Sequence, residues 1–532
     1  MCIFFGGWPL LIAYKPMDLE KKQQSIAENN KRIAKNAAML YIRMFLIMAV
    51  TLYTSRVVLR ELGVDDFGIY NVVGGLVAMM GILNSAMSVS TTRYLTFDLG
   101  RGDSVQLKRT FAMCFQIFVL LSILLLLLGE SIGLWFLNTQ LTIPTERLVA
   151  ANWCYQFSIF SCISSLLLTP FNAIIIAHEK MNIYAYLSVL DAFLKLLVVY
   201  LIAVMPIDKL ISYGALLMFS SLVITILYII YSCKHYAESK YSFYWNYSLF
   251  KELMSYSWWN LFGSLSGIAK EQGLNMLLNI FYGPAVNASR GIAYQVNSAV
   301  SQFFTNFYTA VRPQITKYYS KNELENMFSL VFKSSKFSFY LIYILSLPLI
   351  IEAPFLIELW LGQLPEYVVS FVRIIVVMTA VDAMSNPLMT SAHATGRIKF
   401  YQFTVGTVNI LILPISYIVL KFIGCSPVIV FVISLSASVI TLFLRLWIVG
   451  RLMPFPKMKF VKEVFLKSIL IAFTAAIIPI GIHVVLSANF YSLLLIGLAC
   501  VLSTLSVIYI LGLTPQERLF VRHTFEKIKL KI

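Results

Sequence analysis

Arg43, Lys270 and Arg290 stand inside apolar stretches of this chain. A charged side chain at the centre of a bilayer costs about 2.5–3.5 kcal/mol on insertion scales, so such groups face a wet cavity or a partner. Their chemistry is anion binding: both residue types donate charge-assisted hydrogen bonds to phosphate-type oxygens, and Arg can grip two oxygens at once. Below Arg290, the residues Tyr294, Asn297, Ser301 and Thr305 recur at helical spacing. In lipid such a polar stripe has to face protein or water. Asn84 and Ser88, with Gly74, Gly81, Ser85 and Thr92, form a smaller counterpart, and Asn260, Gly263, Gly267 and Lys270 another. Tight packing through small residues with interhelical hydrogen bonds explains the glycines well and the cations badly. A wet lumen lined by Arg43, Asn84, Ser88, Lys270, Arg290, Tyr294, Asn297 and Ser301 is therefore the expectation.

The remaining ionisable residues within apolar stretches have simpler readings. Glu271 and Asp382 are the acids near mid-depth; they can bind a coupling ion, or pair with Lys270 or a neighbouring helix. Asp191 and Lys195 are spaced to neutralise each other on one helix. Arg445 is expected to snorkel to an interface, and Arg373 to face either a lumen or the outer interface. The cysteines include no C-x-x-C pair and the five histidines no metal-ligand spacing, so no metal site is expected. Phosphate-loop, nucleophile-elbow and dinucleotide fingerprints are missing as well, which argues against an enzyme and against a cofactor.

The elements that must position these residues are membrane helices. Of the 532 residues 59% are hydrophobic and only 13% charged, against about 45–50% and roughly 25% for a soluble domain. Apolar windows of spanning length, from 37–55 through 337–361 to 490–512, number fourteen. The fold class is all-α, a polytopic membrane protein of two six-helix lobes plus two C-terminal helices. The divisions are a tail over 1–36, a first lobe over 37–232, a linker over 233–253, a second lobe over 254–450, two further helices within 451–513 and a basic tail over 514–532. Of the 42 lysines and arginines, 31 fall in connections on the side of the N-terminus and five on the other. That bias predicts two cytoplasmic termini, and it reads the net charge of +17 as topology, with no nucleic-acid partner. The apolar leader before Met17 is too short to span, lacks the basic start of a signal peptide, and leaves Met1 and Met17 both open as starts.

The chain also repeats itself. At an offset of about 220, ELGVDDFGIYNVVGGL (61–76) aligns with IFYGPAVNASRGIAYQ (280–295), pairing Gly63 with Gly283, and Arg101-Gly102-Asp103 with Lys321-Asn322-Glu323. At 217, PFNAIIIAHEKMNIY (170–184) aligns with PLMTSAHATGRIKFY (387–401), pairing Pro170 with Pro387, Ala177 with Ala394 and Lys180 with Arg397. An even number of spans per half gives the halves one orientation, related by an axis along the membrane normal.

The run from Asn30 to Asp103, NKRIAKNAAMLYIRMFLIMAVTLYTSRVVLRELGVDDFGIYNVVGGLVAMMGILNSAMSVSTTRYLTFDLGRGD, resembles the start of polysaccharide-biosynthesis membrane proteins of the multidrug/oligosaccharidyl-lipid/polysaccharide exporter superfamily, closest to the Wzx-type flippases. The resemblance implies movement of undecaprenyl-diphosphate-linked oligosaccharide, an O-antigen or other surface-polysaccharide repeat unit, across a bacterial inner membrane by alternating access. Its implied partners are that lipid-linked cargo, membrane lipids, and a polysaccharide polymerase and glycosyltransferases. Arg and Lys suit the diphosphate; Tyr294, Asn297, Ser301, Asn84 and Ser88 suit sugar hydroxyls. A cation-coupled multidrug antiporter of the same superfamily is the alternative, though helix 1 has no carboxylate between Tyr41 and Ser55. A polymerase or ligase is the third reading, against which the short outside connections speak.

Overall fold

Apolar runs become helices of crossing length. The computed structural model describes residues 16–139, 143–205, 208–240, 242–362, 364–486, 489–515, 517–519 and 522, with side chains except at 16–31, 284 and several positions between 52 and 82. The leader before Met17 and most of the C-terminal tail lie outside the described residues. In order the long helices are α1 (16–62), α2 (64–101), α3 (Ser104–Thr139), α4 (Leu148–Ala177), α5 (Met181–Val204), α6 (Lys209–His235), α7 (247–282), α8 (284–320), α9 (Leu324–Ile351), α10 (Val368–Ala394), α11 (Lys399–Ile423), α12 (Val428–Leu452), α13 (Lys457–Val485) and α14 (Phe490–Gly512). Eleven are long and apolar enough to cross a membrane. Adding α2, α7 and α8, which are of similar length, gives the expected fourteen, and no strand occurs among the described residues.

Two boundaries differ from the sequence expectation. α1 begins at Pro16, so the stretch read as a tail continues the first helix with a polar turn pattern that carries no apolar signal. The window over 337–361 divides: α9 ends at Ile351 and a short helix, Ala353–Leu361, follows, because Pro354 cannot continue the hydrogen-bond ladder and Gly362 ends the second piece at φ 71°.

Helices α1–α6 pack on one another and α7–α12 likewise, α1 and α2 pack extensively on α7 and α8 between these two halves, here called lobes, and α13 and α14 pack on each other and on α9. The first lobe buries Met113, Ile117, Phe118, Tyr155 and Ile159; the second buries Val372, Ile375, Ile412 and Phe431. Outward faces stay apolar, as at Leu127, Phe219, Phe473 and Tyr491, which is what lipid contact requires. Polar side chains set several starts: Asp103 accepts from the Gln106 N–H, Asp208 from Leu210 and Ile211, and Asn246 from Leu249.

The internal repeat is written in the backbone. Gly63 (φ 77°, ψ 173°) breaks α1 from α2, and Gly283 (φ 79°, ψ −175°) breaks α7 from α8 in the same conformation, one that is essentially glycine-only. Gly102 (φ 75°) and Asn322 (φ 59°) turn the next connections, and Glu179 (φ 59°) and Gly396 (φ 77°) the ones after α4 and α10. Each pair is a pair of repeat mates, and Pro170 and Pro387 sit inside α4 and α10 likewise.

Candidate functional site

The lobes meet along a seam between α1 and α2 of the first and α7 and α8 of the second. At the end of the molecule where α1 begins, here the basic end, the seam is shut. Glu179, buried in the turn after α4, pairs with Arg32 at 3.0 Å, and also with Lys317 and Gln314 of α8. The Asn36 amide donates to the Glu179 carbonyl at 3.2 Å. On the other side of the seam Arg93 of α2 donates to the Ala394 carbonyl at 2.8 Å, and Tyr94 donates to Glu252 at 2.9 Å. Tyr41 of α1 donates to the Phe303 carbonyl of α8 at 3.0 Å. The interlobe hydrogen bonds therefore gather toward the basic end.

Above the Tyr41 contact lies a cavity of about 380 Å³, lined by Arg43, Met44, Ile47, Met48 and Thr51 of α1 and by Gln302, Thr305 and Asn306 of α8. No carboxylate lines it among the described residues. The Arg43 guanidinium stacks over the Tyr184 ring of α5 at 4.6 Å, and its buried Nε has no hydrogen-bond partner among the described residues.

The expected site residues divide between this cavity and the lobe interiors. Arg43 and the stripe's lower member Thr305 come together. Arg290 is buried, donating from Nη1 to Asn275 at 3.0 Å and from Nη2 to the Glu271 carbonyl at 2.7 Å, and lies over the Tyr294 ring at 4.3 Å. Asn297 accepts from Ser301 at 3.4 Å and from Thr379 of α10. Tyr294, Asn297 and Ser301 thus form, with Arg290, a polar spine joining α8 to α7 and α10. Asn84 accepts from Thr169 of α4 at 2.8 Å, with Ser88 partly exposed one turn along.

Lys270 lies within electrostatic reach of Asp382, which also faces Arg445 and hydrogen-bonds with Ser438. Glu271 is exposed. Arg445 departs from the snorkelling expectation: it turns into the second lobe and donates to Ser385 at 2.5 Å, because α12 presents that face to α10. Arg43 and Lys270 both turn into their own lobes; Asp382 lies within electrostatic reach of Lys270, whereas Arg43 forms no ion pair among the described residues. Position 165, equivalent to Asp382 at the offset of 217, is a serine. Lys195 pairs with Asp191 at 2.7 Å as its spacing implies, and Arg373 donates to the Ile350 carbonyl at 2.8 Å. No group of three or more potential metal ligands occurs among the described residues.

Sequence reasoning did not single out Glu179, Lys317, Gln302 or Asn306 as functional. Glu179 and Lys317 stand 138 residues apart, a contact without a local signature. The signal that could have found it is the repeat itself, which puts Glu179 opposite Gly396 in otherwise similar turns.

No family model and no curated protein matches the chain. Solved structures do. An outward-facing multidrug-resistance MATE transporter of the MOP superfamily superposes with a TM-score of 0.69 at 14% identity, over 80% of this chain and 97% of that one. A MATE structure in a bent conformation gives 0.68 at 14%, over 80% and 98%. A MOP-superfamily transporter from Pyrococcus furiosus, described as having a binding pocket of reverse polarity, gives 0.63 at 14%, over 79% and 96%. At these identities the likeness is one of fold: a multi-pass, all-helical membrane bundle of the MATE kind.

Proposed function

We propose that this chain carries undecaprenyl-diphosphate-linked oligosaccharide, a surface-polysaccharide repeat unit, from the inner to the outer leaflet of a bacterial inner membrane, with no covalent step of its own. The carrying observation is the seam cavity: it holds a cation, Arg43, without a carboxylate, beside the amides of Gln302 and Asn306 and the hydroxyls of Thr51 and Thr305. That lining suits phosphate oxygens and sugar hydroxyls. A cationic drug would meet a half-buried like charge there, which costs binding free energy. The excess of basic residues at the closed end supports reading that end as cytoplasmic, and on that reading the closed basic end suits an outward-facing state of an alternating-access cycle.

The reading of Arg43, Asn84 and Ser88 as cargo contacts belongs to this proposal. Arg290, Tyr294, Asn297 and Ser301 contribute by holding α8 in place. A second reading, a cation-coupled drug antiporter, has one observation in its favour: Asp382, an acid inside the second lobe. With Lys270 and Arg445 within electrostatic reach, it serves on our reading to balance their charge. Deletion of the gene in a host that makes the polysaccharide tests the choice. Lipid-linked repeat units left facing the cytoplasm support the flippase; normal export with altered dye resistance supports the antiporter.

A further inference from the structure

The two turns that close the basic end are repeat mates, and they differ in one charge. In the first-lobe turn Glu179 supplies a carboxylate, engaged by Arg32 and Lys317. In the second-lobe turn the equivalent residue is Gly396, and no side chain can be added there cheaply. Its φ is 77°, and a Cβ would come within 2.8 Å of Arg93 Nη2. What lies beside Gly396 is a cavity of about 500 Å³ between the ends of α2, α8 and α12, lined among others by Arg101, Arg397, Thr395 and Asn322. Neither Arg101 nor Arg397 forms an ion pair among the described residues. Arg101 stacks over Phe97 at 4.4 Å, and nearby Asp98 is taken up by the Thr110 hydroxyl at 2.6 Å. Arg93, which also lies over Phe97 at 4.8 Å, is buried with its Nε unpaired among the described residues.

We propose that this cavity is a phosphate-binding seat, in which an anionic ligand takes the place that the Glu179 carboxylate fills in the other half. Two guanidiniums with the Asn322 amide match a phosphate or diphosphate oxyanion, while the Thr395 hydroxyl, which donates to the Ala392 carbonyl at 2.7 Å and accepts from the Arg397 N–H at 3.1 Å, holds the turn that carries Arg397. On the flippase reading, on which the identity of the ligand rests, the ligand is the diphosphate of the lipid-linked cargo before it enters the seam. The seat lies at the basic end, where positive-inside topology places the inner-leaflet headgroups.

The test uses the full chain in phosphatidylcholine nanodiscs, with inorganic pyrophosphate as the probe and thermal unfolding and calorimetry as readouts. Pyrophosphate should stabilise the wild type. Arg101→Ala with Arg397→Ala should weaken its binding by about tenfold or more, the Lys pair should retain part of it, and Thr395→Glu, which puts a carboxylate of the protein's own into the cavity, should abolish it, whereas Thr395→Gln, which loses the same hydroxyl without adding a charge, should keep it. A second arm adds phosphatidylglycerol. If that lipid displaces pyrophosphate only when both arginines are present, the seat stands and the bilayer is a source of its phosphate. Pyrophosphate or phosphatidylglycerol binding unchanged in the Ala pair and in Thr395→Glu overturns the seat. Polysaccharide export with no pyrophosphate binding at all overturns the seat alone and leaves the flippase reading standing.

Discussion

Gly100 and Ser320 occupy equivalent positions of the two halves, 220 residues apart, and they touch: a Cβ on Gly100 would fall on the Ser320 hydroxyl, with Lys317 Cα 3.3 Å away. Repeat mates that meet must lie on the axis relating the halves. α2 and α8 therefore cross on that axis at the basic end, and the absence of a side chain at Gly100 is what lets them close.

Gly100→Leu should wedge this crossing open. Overpacking of this kind costs about 1–3 kcal/mol, charged to the closed basic end alone. Cysteines placed at 97 or 319, whose rings lie 6.3 Å apart across the seam, should label faster from the basic side in the Gly100→Leu background. Unchanged labelling would show that the crossing is not tight.

Glu179 gives the second prediction. Its carboxylate is almost wholly buried between Arg32 and Lys317, and removal of one partner from a buried pair costs about 3–5 kcal/mol, chiefly because a charge is left unpaired. Glu179→Ala should populate the opened basic end and destabilise the protein. Lys317→Met in the same chain should recover much of the loss. Additive effects in the double-mutant cycle would contradict the pairing.

The third concerns pH. Outside the membrane helices, the His178 ring hydrogen-bonds Glu238 at 2.6 Å and holds its carboxyl below the usual value of 4.5, against a smaller opposing effect of burial. A depressed acid stabilises the fold above its unfolded pKa and loses that contribution as pH falls through the folded value. The gap in melting temperature between wild type and Glu238→Gln should be steady at neutral pH and shrink below about pH 4.5. A gap that persists at low pH would exclude the carboxylate as its source.

Legibility in the sequence followed the range of each interaction. The helices were readable because every turn of a lipid-facing helix is apolar, and the breaks at Gly63 and Gly283 because the same unusual backbone needs glycine twice. Arg290, Asn297 and Ser301 were harder: a helical stripe of polar groups looks the same whether it faces water or, as here, Asn275 and Thr379 on neighbouring helices. Arg101 and Arg397 were legible only as topological charge, since their shared cavity exists only once α2, α8 and α12 come together.

The central claim rests on Arg43, and the most direct measurement is the fraction of lipid-linked repeat units reaching the outer leaflet in cells carrying single variants, normalised to the amount of protein in the membrane. Arg43→Ala should cut that fraction by about tenfold or more at normal abundance, the loss of a charge-assisted phosphate contact of about 1.5–3 kcal/mol, and Arg43→Lys should restore part of it. Arg290→Ala, which leaves the Glu271 carbonyl and Asn275 without their donor, should lower abundance instead. Full export by Arg43→Ala at normal abundance would contradict the account.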